Sequence, residues 1–298
     1  ENSLMIDLKK MQAGDYGLQN FALFTSLERA EGKPFEYCMG LLDTFYTEME
    51  AHSDMIGIVR SYRDIEDNWR KGRMSALLTI EEGGVCQGSL RFLRDFYRLG
   101  VRMMTLTWNF PNELGFPNKR ERREDGTTYL VPDQSNGLTG TGIEFVEEME
   151  RLGMIIDVSH LNDAGIWDVF RHTKKPFVAS HSNARAVASH PRNMTDDMIR
   201  ELADRGGVMG INYYTCFLRD FCQDEAPVSR VSYMVEHMKH IRNVGGIGCL
   251  GLGSDFDGIE CELEMKDASM VPMLADAMKR EGFSQSEIEA VFYKNVLR

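Results

Sequence analysis

Short apolar runs bounded by glycine, proline or charge alternate along this chain with stretches whose apolar residues recur at helical spacing. Strand-like runs stand at about 18–24 (LQNFALF), 74–80 (MSALLTI), 101–107, 154–159, 176–180, 208–213 and 247–253. Apolar runs without alternation mark strands buried on both faces, and helical stretches between them imply a parallel sheet. The helical stretches include about 34–52, with Met39, Leu42, Phe45 and Met49 on one face, and 142–152, with Ile143, Val146, Met149 and Leu152. Others are 90–99, 163–172 and 228–244, and one that follows Thr195. Thr195 reads as an N-cap, with Asp196 and Asp197 in the first turn and Met194 and Ile199 as a hydrophobic staple. The last helix opens with a capping box, Ser284 and Glu287. Residues 1–16 are polar, and 109–138 form a charged stretch marked by Gly, Pro and Asn, too long for a mere connection.

Seven strands fall one short of a closed barrel, for which about 250 residues suffice. The chain starts in mid-pattern at Glu1. The expectation is therefore an α/β fold, a (β/α)8 TIM-type barrel in a single domain over 1–298. Its first strand would precede Glu1, and the 109–138 loop would lie over the site.

Composition narrows the function. A net charge of -12 with no long basic run argues against nucleic acid and anionic membrane surfaces. No transmembrane run or signal peptide is seen. The six cysteines (38, 86, 216, 222, 249, 261) are scattered without a CxxC, as in a cytoplasmic chain with reduced thiols.

The two runs ending at His160 and His181 flank the 163–172 helix, so both histidines stand at carboxyl ends of neighbouring parallel strands, where α/β proteins place their chemistry. Glu81, Trp108 and Asp255 follow three other strands. Each has a plainer explanation. The histidines can be hydrogen-bonded core residues, and Glu81-Glu82 a solvated pair before a Gly-Gly turn. Asp255 and Asp257 can be turn-formers, and Arg192 and Asn193 can simply precede a helix. Collected at one face, imidazoles and carboxylates suit a zinc site. His190 lies off the strand ends and reads as structural.

These residues sit in motifs that resemble one family. IEEGG at 80–84, LGVRMMTLTWN at 99–109, LGMIIDVSH at 152–160, ASHSNARAVASHPRN at 179–193, GGVMGINYY at 206–214 and GLGSDFDG at 251–258 resemble the membrane dipeptidase (renal dipeptidase) family of zinc metallopeptidases, in its bacterial type. The resemblance covers essentially the whole chain and implies a (β/α)8 barrel that hydrolyses dipeptides with metal-activated water, with tolerance of a D-residue at the second position left open. It implies Glu81 as a bridging metal ligand, with Glu82 the fallback, and His160 and His181 as ligands of a second zinc. Arg192 would hold the substrate carboxylate, Tyr214 would line the pocket and Asp255 would be the acid/base. Two departures stand out. The family's His-x-Asp motif does not occur in the sequence, so two Zn2+ per chain requires that it lie upstream of Glu1. Trp108 occupies the place of a histidine that polarises the scissile carbonyl, leaving neighbouring Asn109 as the candidate donor. The rival readings are a related barrel metallohydrolase acting on lactones, amides or phosphoesters, and a non-catalytic barrel if His-x-Asp is absent. A helical exterior leaves room for a homodimer.

Overall fold

Strand Met74–Glu81 is buried at six of its eight positions, which is why its sequence is mostly apolar with no alternation, Ser75 and Thr79 being buried with the rest. It is the spine of one compact unit, Gly17–Lys175, in a computed structural model that describes residues 3–220 and 227–298. Leu18–Phe24 pairs parallel along one edge, from Leu18↔Ser75 to Phe24↔Glu81. The other edge is shared. Ile56–Val59 takes its first half, from Ile56↔Met74 to Val59↔Leu77, and Met103–Thr105 takes the second, ending at Glu81↔Thr105. Ile155–Asp157 follows with Thr105↔Asp157. The register thus puts Phe24, Glu81, Thr105 and Asp157 in one row at the carboxyl end of the strands.

Strand Ile56–Val59 is absent from the seven expected ones. It is only four residues long, and Gly57 interrupts its apolar run. The glycine is there for a packing reason: a Cβ on it would stand 2.2 Å from Asn68 Oδ1. Buried Asn68 instead donates from Nδ2 to the Gly57 carbonyl at 2.9 Å. The helices of this unit bury the expected faces in part: Met39, Ile143 and Leu152 are only half-buried, and Cys38 and Phe145 are buried in addition. Pro34–Ala51 buries Cys38, Leu42, Phe45 and Met49, and Gly140–Leu152 buries Phe145, Val146 and Met149. Thr139 caps the latter by accepting from the Gly142 N–H, and Asn162 caps Asp163–His172 through Gly165. The stretch 109–138 is not all loop. Lys119–Arg122 pairs antiparallel with Thr128–Val131. All four residues of the first strand are exposed and charged, so no apolar alternation betrays it.

The second unit joins Glu1–Tyr16 to Pro176–Arg298. Its parallel strands run Val178–Ala179, Val208–Ile211 and Leu250–Leu252, with Ala179↔Met209 and Leu252↔Ile211 in register. Two glycines allow the strand ends to approach. A Cβ at Gly210 or Gly253 would lie 2.1 or 2.0 Å from the Ser180 carbonyl oxygen. Thr195 caps helix Asp196–Asp204 as expected, and Ser284 with Glu287 forms the capping box of Gln285–Glu289. The helix expected from 228 begins at Val231, because Val228–Ser229 pairs with Glu262–Leu263. A short helix, Leu8–Ala13, capped by Asp7, lies within the polar start of the chain. Cys38, Cys86, Cys216, Cys249 and Cys261 are free thiols, and Cys222 lies outside the described residues. No helix among the described residues is long and apolar enough to cross a membrane.

His237, in helix Val231–Gly245, is wholly buried. Its Nδ1 accepts the Ala184 N–H at 3.1 Å, and Nε2 stands 2.9 Å from the Leu218 carbonyl, so the ring is neutral with its proton on Nε2. Burial pushes its pKa down to about 4 against the Leu218 hydrogen bond, and burial beside Arg192 and Arg185 pushes His190 down to about 4 as well. A depressed histidine pKa means that the folded state binds fewer protons than the unfolded one. The stability is present above an ordinary histidine pKa of about 6.5 and is lost as pH falls towards 4. The melting temperature should therefore decline between these limits, and the decline should be shallower in His237→Gln, as followed by circular dichroism across pH.

Candidate active site

In the unit Gly17–Lys175, Glu81 and His160 meet at the row of strand ends. Glu81 Oε1 lies 3.1 Å from His160 Nε2, with the two side chains 18% and 10% exposed. His160 reaches this place from a left-handed backbone, φ 71°, which a residue with a Cβ adopts only when its surroundings impose it. Asp157 fixes the turn just before it: one carboxylate oxygen accepts from Thr105 Oγ1 at 2.7 Å and the other from the Ser159 N–H at 3.0 Å. The ring is fixed separately. Its Nδ1 lies 3.0 Å from Asn109 Oδ1, so Nδ1 carries a proton and Nε2 is the nitrogen that faces Glu81. Asn109, expected as a donor to substrate, thus orients a histidine in this structure. Trp108 packs edge-on to Phe24 with centroids 4.9 Å apart, and its ring lies 6.3 Å from that of His160.

The doubled glutamate is resolved by the backbone. Glu82 is fully buried at φ 107°, and its carboxylate accepts from the Gly84 N–H at 2.8 Å, the Trp108 N–H at 3.2 Å and the Asn112 amide. Burial pushes its carboxyl up, while these three donors oppose the shift. Glu82 is committed to holding the turn after the strand, and Glu81 is the carboxylate facing a histidine.

The second unit carries the other expected residues. His181 is buried, with Nδ1 2.7 Å from Ser180 Oγ. Arg192 is 6% exposed, and its guanidinium lies 5.4 Å above the Phe217 ring. Tyr214 meets Phe217 edge-on, with centroids 5.1 Å apart. Asp255, at φ 60°, accepts at Oδ2 from Asn212 Nδ2 at 3.0 Å. Three buried asparagines tie these loops together. Asn212 accepts the Tyr214 N–H at Oδ1, which fixes its amide orientation, and its own N–H donates to Asn183 Oδ1 at 2.8 Å. Asn183 donates from Nδ2 to the carbonyls of Asn212 and Phe217, and Asn193 donates to those of Ala188 and Phe217. Asn183, Asn212 and Phe217 are not among the residues expected from the sequence. A signal was present for Asn212, which directly follows strand Val208–Ile211, as His160 and His181 follow theirs within a few residues.

The family model described as membrane dipeptidase (Peptidase family M19) matches residues 1–298. The chain belongs to the membrane dipeptidase family. Among its relatives is an uncharacterized dipeptidase of Schizosaccharomyces pombe, 32% identical over 98% of this chain and 70% of that protein. Dipeptidase verJ of Clonostachys rogersoniana is 33% identical over 87% of this chain and 63% of that protein. A solved structure of dipeptidase AC, a metallopeptidase, is 26% identical and superposes with a TM-score of 0.88, covering 100% of this chain and 88% of that one. The parallel strands and their helices are thus those of a TIM-type (β/α) fold. The enzyme is a metallodipeptidase, a hydrolase of the peptide bond in dipeptides.

Its residues fit the metal that this chemistry uses. A carboxylate and an imidazole converge within 3.1 Å, with the imidazole's second nitrogen occupied by an amide oxygen. That outer partner is what metal-binding histidines ordinarily have, and the N/O donor set suits a borderline cation such as zinc.

Proposed function

We propose that the metal is zinc, held by Glu81 and the imidazoles of His160 and His181, and that Asp255 carries the proton in dipeptide hydrolysis. The observation that carries the reading is the Glu81–His160 pair, set by strand register and by Asn109, in a chain of this family. Bound zinc supplies a Lewis acid and a water of lowered pKa.

The chain's own groups do the rest. Arg192 pairs with the terminal carboxylate of the substrate, a charge-assisted contact that restricts the enzyme to very short peptides. Tyr214, Trp108 and Asn109 line the space around the peptide. Trp108 offers only an indole N–H and can carry no proton, so proton transfer falls to a carboxylate. Asp255 takes the proton on Oδ1, because Oδ2 faces an amide donor. Recognition through a carboxylate does not by itself read the configuration of the residue bearing it, so a D-residue at the second position is accepted.

The test is removal and return of metal. Chelator-treated enzyme should lose hydrolysis of L-Ala-L-Ala and L-Ala-D-Ala together, and stoichiometric zinc should restore both. Full activity in protein shown by elemental analysis to hold no zinc would overturn the reading.

A further inference from the structure

Phe217 lies at the centre of the cluster around Arg192 and Tyr214, and the chemistry described so far gives Phe217 itself no role. Its ring carries the Arg192 guanidinium at 5.4 Å, within cation–π range, and packs against His190 with centroids 4.6 Å apart and against Tyr214 at 5.1 Å. Its backbone is held as firmly as its ring. The Phe217 N–H donates to the Tyr214 carbonyl at 3.0 Å, and its own carbonyl accepts from Asn183 at 3.2 Å and Asn193 at 2.9 Å. Both asparagines are buried.

Such a platform suits a guanidinium that must bind a carboxylate. An aromatic face attracts the flat cation without taking up any of its in-plane N–H donors, which a carboxylate needs in a forked pair. The neighbouring His190 adds no competing charge near neutral pH, because its Nδ1 accepts the Arg192 backbone N–H at 3.1 Å and its pKa is held low.

We propose that Phe217 is a positioning residue that orients Arg192 and thereby sets selectivity for substrates with a free terminal carboxylate. The proposal rests on the reading of Arg192 given above.

The experiment measures kcat and KM for a dipeptide and for its amide in Phe217→Leu, Phe217→Met, Phe217→Tyr and Arg192→Ala. Losing the ring should raise KM for the dipeptide about three- to tenfold, the range expected of a partly buried cation–π contact. The kcat should stay within about twofold of the parent. The amide kinetics should not move, and Phe217→Tyr should restore KM. Phe217→Met keeps the bulk without the ring, so it makes the same test where Phe217→Leu folds poorly. Equal losses on dipeptide and amide, or a fall in kcat at unchanged KM, would reduce Phe217 to a packing role and overturn the proposal. Arg192→Ala separates the two layers. If it raises KM for the dipeptide and the ring-less variants do not, only the role of Phe217 fails. If it too treats dipeptide and amide alike, the carboxylate reading of Arg192 fails with it.

Discussion

Glu81→Gln and His160→Ala are each expected to yield folded protein that has lost bound zinc and nearly all dipeptidase activity. A metal supplying several kcal/mol of transition-state stabilisation corresponds to a fall in kcat of about 10³-fold or more. His181→Ala should behave likewise. The informative control is Glu82→Gln. Both Glu82 oxygens accept hydrogen bonds, from Gly84 and Asn112 on one side and from Trp108 on the other. An amide would oppose an NH2 to an N–H donor, at a cost of about 1–3 kcal/mol. Glu82→Gln should therefore melt earlier while keeping its zinc, whereas Glu81→Gln should lose zinc and melt nearly as the parent does when both are metal-free. Elemental analysis and melting on the same preparations give the answer. A reversed pattern would make Glu82 the ligand.

That control matters because the sequence leaves the two glutamates interchangeable. What distinguishes them is backbone, not composition: Glu82, at φ 107°, has its carboxylate on the Gly84 and Trp108 N–H groups and the Asn112 amide. Elements carried by an apolar pattern were legible without the structure. The strands around 74–80 and 208–213, the helix over 163–172 and the capped helices after Thr195 and Ser284 appear where hydrophobic periodicity and capping residues put them. Elements carried by something else were not. Ile56–Val59 is short and broken by a glycine, and the 119–122 strand is entirely polar and exposed. The candidate site follows the same rule. His160, His181 and Asp255 could be picked out because they come soon after strands, and motif resemblance gave them roles. The asparagines around Asp255 and Phe217 act through side-chain bonds to residues far apart in the chain, Asn212 to the Asp255 carboxylate across 43 positions and Asn183 to the Asn212 backbone across 29. No local pattern announces such a bond.

Asp255→Asn should keep its zinc, bind dipeptide with little change in KM and lose kcat by about 10²- to 10⁴-fold, the usual cost of losing acid–base help. The substitution isolates proton transfer for three reasons. Asparagine has the size of aspartate and tolerates the left-handed region, so φ 60° at this position is not strained by it, as it would be by most residues. Its amide oxygen can accept the Asn212 Nδ2–H that Asp255 accepts at 3.0 Å, so the buried asparagine network stays satisfied. Its NH2 then occupies the place of Oδ1 and cannot take a proton. Zinc content, KM and kcat should be measured on one preparation, because each reports a different role. Turnover near that of the parent would exclude Asp255 as the proton carrier, and loss of zinc would make it a ligand. A rise in KM alone would make it a substrate contact. Only a fall in kcat with zinc and KM preserved fits a carboxylate whose one oxygen is held by Asn212 and whose other moves the proton.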